Sequence, residues 1–125
     1  MKKILIVDDS MFMRKVLRDL LPDACEVIEA GSASKAVELF RAERPDLVLL
    51  DIIMPDEEQA GIGVLSTLKE IDPDAQVVMI TALGQDVIVE QCKKLGATEY
   101  LTKPFDDKKV RETIERCLGR VVQHS

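Results

Sequence analysis

At 125 residues the chain has the size of one domain with room for a real core. An apolar share of 46% and a mean hydropathy near zero fit a soluble globular protein, and no apolar run approaches the ~20 residues that span a bilayer. A net charge of −6 argues against direct nucleic-acid binding.

The chain opens like an export signal, with Lys2-Lys3 before Ile4-Leu5-Ile6-Val7, but Asp8-Asp9 cuts the apolar run short. A cytoplasmic protein is therefore expected. Cys25, Cys92 and Cys117 lie far apart and read as reduced thiols, mostly in the core. Lys3 to Val7 is a strand pattern. Ser10 can cap the helix whose apolar residues Met13, Val16, Leu17, Leu20 and Leu21 share one face, and Pro22 stops it. Cys25 to Ala30 is a second strand. After the Gly31-Ser32 turn, Ala33, Ala36, Val37 and Phe40 mark a second helix, closed at Pro45. Asp46 to Asp51 is a third strand, and its continuous run Leu47-Val48-Leu49-Leu50 suits burial on both faces. An acidic loop, Pro55-Asp56-Glu57-Glu58-Gln59, leads to a helix with Val64, Leu65 and Leu68, ending near Asp72-Pro73. Gln76 to Thr81 is a fourth strand, and a helix from about Gln85 to Leu95 stops at Gly96. Thr98 to Thr102 is a fifth strand and holds the only tyrosine, Tyr100. Asp106-Asp107 opens a last helix with Val110, Ile114, Cys117 and Leu118 on one face, and residues 119–125 read as a frayed tail.

Five strands alternating with five helices over short connections predict one α/β domain across residues 1–125, with a parallel sheet covered on both faces. Open sheets of this class bind ligands outside the carboxyl ends of their strands. Those ends carry Asp8 and Asp9, then Asp51, then Thr81, then Lys103. The first and third strands of a doubly wound sheet are neighbours at its switch point, so the three carboxylates gather there. One lysine cannot balance three negative charges, whereas a hard divalent cation such as Mg2+ can. A helix-capping role for Asp8 and Asp9 alone would leave Asp51, Thr81 and Lys103 unexplained. A carboxylate beside Mg2+, a hydroxyl and an ammonium suits phosphoryl transfer onto that carboxylate.

The signatures Val7-Asp8-Asp9-Ser10 with Met13-Arg14, Asp51 with Met54-Pro55, Thr81-Ala82, Gly96-Ala97 with Tyr100, and Lys103-Pro104-Phe105 occur in that order. On them the chain resembles a response-regulator receiver domain of two-component signalling, similar to the single-domain chemotaxis regulators, over residues 2–118. The resemblance implies a flavodoxin-like (βα)5 fold, a doubly wound parallel five-stranded sheet in order 2-1-3-4-5. It implies that Asp51 is the phosphoacceptor, that Asp9 and Asp51 ligate Mg2+ directly with Asp8 acting through water, and that the backbone carbonyl of Ile53 completes the protein ligands. Thr81 and Lys103 would contact the phosphoryl group, and the Lys103-Pro104 peptide would be cis. Phosphorylation would move Thr81 and draw Tyr100 inward, changing the face made by the fourth helix, fifth strand and fifth helix. Ordinary half-buried strand packing is the competing account of Tyr100. The implied partners are a sensor histidine kinase or phosphotransfer protein and a downstream effector protein, with no membrane insertion and no nucleic acid bound by this domain. No enzyme activity is implied beyond the domain's own phosphorylation and dephosphorylation.

Two features depart from the family pattern. Its Asp-Gly pair, seven and eight residues after the phosphoacceptor, is replaced by Glu58 and Gln59, so the matching glycine is Gly61 after a two-residue insertion. Ile53 and Leu83, two residues after Asp51 and Thr81, are apolar and cannot orient an attacking water, which predicts a long-lived phosphoryl group. Ile53 also stands where a haloacid dehalogenase-type phosphatase needs a second Asp, which argues against that enzyme. A phosphorylation-independent binding module should lack a site residue, and none is missing. The chain ends soon after its last helix, which leaves a stand-alone chemotaxis-like regulator, a receiver cut from a transcriptional regulator, and a phosphorelay intermediate as the choices of pathway.

Overall fold

Alternate residues of each strand face opposite sides of a sheet, and here the parity sorts the apolar residues into two cores. The computed structural model of the chain describes residues 1–54 and 60–122. In chain order the elements are β1 (Lys3–Val7), α1 (Met11–Asp19), β2 (Glu26–Ala30), α2 (Ala33–Glu43), β3 (Leu47–Leu50), α3 (Ala60–Ile71), β4 (Val77–Thr81), α4 (Asp86–Lys94), β5 (Glu99–Thr102) and α5 (Asp107–Val122). The strands form one parallel sheet in the order β2-β1-β3-β4-β5, the doubly wound flavodoxin-like arrangement. Leu5, Val7, Val48, Leu50, Val77 and Met79 point to one face, where Phe40 of α2, Leu65 and Leu68 of α3 and Cys92 of α4 pack on them. Ile4, Ile6, Leu47, Leu49, Val78 and Ile80 point to the other, under Leu17 of α1 and Val110, Ile114 and Cys117 of α5. Each such fully buried aliphatic side chain stabilises the fold by roughly 2 kcal/mol.

The register levels the strand ends that matter. Leu50 of β3 pairs with Val7 of β1 on one side and with Met79 of β4 on the other. Asp51 lies just past β3, yet its N–H still donates to the Val7 carbonyl at 3.0 Å, so the ladder carries it to the sheet's edge. The Asp8 N–H likewise donates to Ala30 at 3.1 Å.

Several element ends differ from the sequence expectation. α1 stops at Asp19, and the next turn tightens, with Leu20 N–H on Leu17 and Leu21 N–H on Arg18. That tighter turn keeps both leucines buried, so the apolar period runs on after the α-helix has ended. α2 closes on Arg44, whose φ of 47° is left-handed, one residue before Pro45. α5 continues through Gly119 to Val122, further than the apolar face alone implied. The acidic stretch Asp56-Glu57-Glu58 lies outside the described residues. Cys92 and Cys117 are buried, Cys25 is half-buried, and none of the three forms a disulfide. Among the described residues no helix is long and apolar enough to cross a membrane.

Candidate functional site

Three short turns at the carboxyl edge build the site. β1 delivers Asp8 and Asp9, β3 delivers Asp51, and each of the three offers a carboxylate oxygen within 4.8 Å of the others. Asp8 and Asp51 are buried, while Asp9 is exposed. Buried carboxylates need partners, and both have them on each oxygen. Asp8 Oδ1 accepts from the Ser10 N–H at 2.9 Å, and Asp51 Oδ1 accepts from the Ile53 N–H at 3.1 Å. Their Oδ2 atoms share the Lys103 ammonium, at 2.8 Å from Asp8 and 2.9 Å from Asp51.

Lys103 reaches the acids from the far edge of the sheet. It follows β5, and its side chain crosses the end of β4 to arrive at β3 and β1. The Lys103-Pro104 peptide is cis. Burial alone would pull the ammonium's pKa down, but its hydrogen bonds to Asp8 and Asp51 outweigh that and hold it above the ordinary lysine value. Burial pushes the Asp8 carboxyl above the usual carboxylate range, against the opposing hydrogen bond from Lys103. One ammonium among three acids leaves two negative charges to be met, the valence of Mg2+. The donor set is all oxygen, as that ion requires, and Asp9 offers the exposed side through which it would enter.

Thr81 ends β4 beside β3 and is fully buried, with its Oγ accepting from the Leu83 N–H at 3.4 Å. Tyr100 does not join the acids. Its hydroxyl donates to the Leu83 carbonyl, and its ring packs on the core beside Leu83. Burial, then the charges of Cys92 and Asp51, push its phenol up to about 12. Ile53 turns its side chain outward, 37% exposed, while its N–H serves Asp51.

Gly61 lies in the first turn of α3 against the Asp51 backbone. A Cβ there would fall 2.1 Å from the Asp51 carbonyl oxygen and 2.4 Å from Ile52 Cα, so only glycine fits. Its N–H donates to the Ile52 carbonyl at 2.8 Å. Arg14 was visible in the sequence only as part of a signature. In the structure it donates from Nη1 to the Asp8 carbonyl at 2.6 Å and from Nε to Glu29 at 2.9 Å. A backbone oxygen as partner, and an acid fifteen residues away on β2, left no local sequence signal to find it by.

Comparison with known proteins agrees with this geometry. Residues 4–115 match the family model described as the response regulator receiver domain. "Protein CcdB" of Bacillus subtilis is 40% identical over 95% of this chain and 99% of its own length. The chemotaxis protein CheY of Halobacterium salinarum is 41% identical over 94% of this chain and 97% of its own. A solved CheY-like receiver domain protein from Methanospirillum hungatei superposes with a TM-score of 0.91 at 26% identity, covering 100% of this chain and 99% of that one. The chain therefore belongs to the response regulator receiver domains, the phosphorylation-activated switches of two-component signalling.

Proposed function

We propose that Asp51 is the phosphoacceptor and that a histidine kinase or phosphotransfer protein is the donor. The observation that carries this is the meeting of Asp8, Asp9, Asp51 and Lys103 at one edge of the sheet, from three separate strand ends. An Asp51 carboxylate oxygen attacks phosphorus as the bond from phosphorus to the donor's imidazole nitrogen breaks, and the imidazole leaves with the electron pair. The Ile53 N–H keeps the carboxylate oriented from Oδ1. The Lys103 ammonium, already 2.9 Å from Oδ2, stays beside the charge that arrives. Thr81, buried on the neighbouring strand, offers its hydroxyl to another phosphoryl oxygen. Asp9 and Asp51, Asp8 through water, and the Ile53 carbonyl would hold Mg2+, which when bound neutralises phosphoryl oxygens. The domain then catalyses only its own phosphorylation and dephosphorylation.

The response runs through Leu83. Its N–H is on Thr81 and its carbonyl is on Tyr100, so a shift of Thr81 towards a phosphoryl group pulls on the Tyr100 hydroxyl through one residue. The α4–β5–α5 face carries the result to a cytoplasmic effector protein. Kinship with CheY supports a stand-alone, chemotaxis-like role. The test is incubation with Mg2+ and acetyl phosphate, read by intact mass. The parent gains one phosphoryl group and Asp51→Ala does not; equal labelling of the two, or none of the parent, overturns the proposal.

A further inference from the structure

Asp8 and Asp9 are joined by a peptide that has left the sheet, since β1 ends at Val7. The oxygen of that peptide is the Asp8 carbonyl, and Arg14 Nη1 holds it at 2.6 Å. The same guanidinium donates from Nε to Glu29 Oε1 at 2.9 Å. Glu29 is anchored in turn by Arg18, through Nε at 3.2 Å and Nη2 at 2.6 Å on Oε2. Arg14 is drawn down across the ends of β1 and β2 with only 15% of its side chain exposed, whereas Arg18, one turn on, is 47% exposed. Gly31 leaves room for it, because a Cβ there would press on Nη1 at 3.3 Å. Its planar fork meets two acceptors at once, one just past the end of β1 and one on β2.

Given the role proposed above for Asp51, on which this step rests, we infer that Arg14 is a positioning residue that sets cation affinity by fixing the peptide between Asp8 and Asp9. Near the acids it bonds the Asp8 carbonyl, not the carboxylates of Asp8, Asp9 or Asp51. It fixes how far apart, and at what angle, the two acids of β1 face Asp51 before the ion arrives. Partners of this outer kind change metal affinity by about 10–100-fold when removed.

The experiment measures Mg2+ affinity by calorimetry, and the Mg2+ dependence of phosphorylation by acetyl phosphate, on the full chain. Arg14→Met should raise the half-saturating Mg2+ concentration about tenfold in both. At saturating Mg2+ its rate should return to within about twofold of the parent, a split that general loss of structure would not produce. Arg18→Met breaks the exposed ion pair to Glu29 without touching Asp8, and should move half-saturation by less than about twofold. Gly31→Ala, which crowds Nη1 and removes no hydrogen bond, gives a second route if Arg14→Met does not fold, with a shift of about threefold. Equal shifts in Arg14→Met and Arg18→Met overturn the inference, as does a folded Arg14→Met with parental Mg2+ affinity. If Arg14→Met does not fold, a Gly31→Ala variant with parental affinity overturns it as well. A parent that neither binds Mg2+ nor takes up phosphate fails the Asp51 proposal instead, so the two failures are distinct.

Discussion

The two turns that flank Asp51 are built to opposite standards. At the β1–α1 corner, Asp8 is held through its N–H, its Oδ1, its Oδ2 and its carbonyl, and the Ser10 hydroxyl caps α1 on the Met13 N–H at 3.1 Å. At the β4–α4 corner, Ala82 and residues 84–87 are exposed, and Gln85 starts α4 with no side-chain cap. There Leu83 hangs between one 3.4 Å bond to Thr81 and the Tyr100 hydroxyl. A site that must meet a divalent charge gains from acids fixed in advance, because no reorganisation is then needed when the ion binds. A wall with the reporting role proposed above gains from weak local stability, so that a small change in interaction shifts its population.

The largest expected effect bears on the fixed side. Gly61→Ala drives a methyl into the Asp51 carbonyl, and should cost about 3 kcal/mol or more in chemical denaturation and abolish phosphate uptake. A variant of parental stability would mean that α3 yields easily and that the Asp51 shelf is not rigid. On the yielding side, the single tyrosine, in a chain without tryptophan, allows a clean absorbance titration. Its midpoint should lie near pH 12. Because the folded phenol binds its proton more tightly than the unfolded one, its contribution to stability is complete below about pH 10 and is lost as pH rises towards the folded value. A midpoint near that of a free phenol would place the ring in water, apart from Leu83.

Smaller effects refine the contrast. Ile53→Asn and Leu83→Asn add groups able to orient water, and each should shorten the aspartyl phosphate lifetime about tenfold or more, read by loss of mass over time. Unchanged lifetimes would mean that water access is controlled elsewhere. Ser10→Ala removes a working cap and should cost about 1 kcal/mol. Gln85→Ser adds one where none exists, and should stabilise by about 0.5 kcal/mol and slow hydrogen exchange in α4. If the two substitutions acted in the same direction, the two corners would not differ as described.

The sheet was legible in the sequence because its signals are local. Runs such as Leu47-Val48-Leu49-Leu50 announce a buried strand, and the residue that follows each run is the one the edge presents. Asp8, Asp9, Asp51, Thr81 and Lys103 could therefore be named before any coordinates. What escaped was carried by backbone atoms or by distant partners. Arg14 works through a carbonyl, and no side-chain pattern encodes that. The sequence places the end of α1 too late because the tight turn at Leu20 and Leu21 keeps the apolar spacing while abandoning the α-helical hydrogen bonds. For Tyr100 the sequence offers a mobile ring or plain packing, and its bond to the Leu83 carbonyl needs the fold to bring residues seventeen apart into contact.

Since strand parity gives each helical layer its own set of sheet side chains, a substitution beneath α2, α3 and α4 has no direct neighbour beneath α1 and α5. Because α4 rests on one core and α5 on the other, the face they share can be retuned from either layer, while the acids stay in place beyond both at the strand ends. Lineages can rewire what such a domain tells, and to whom, without relearning how it is told.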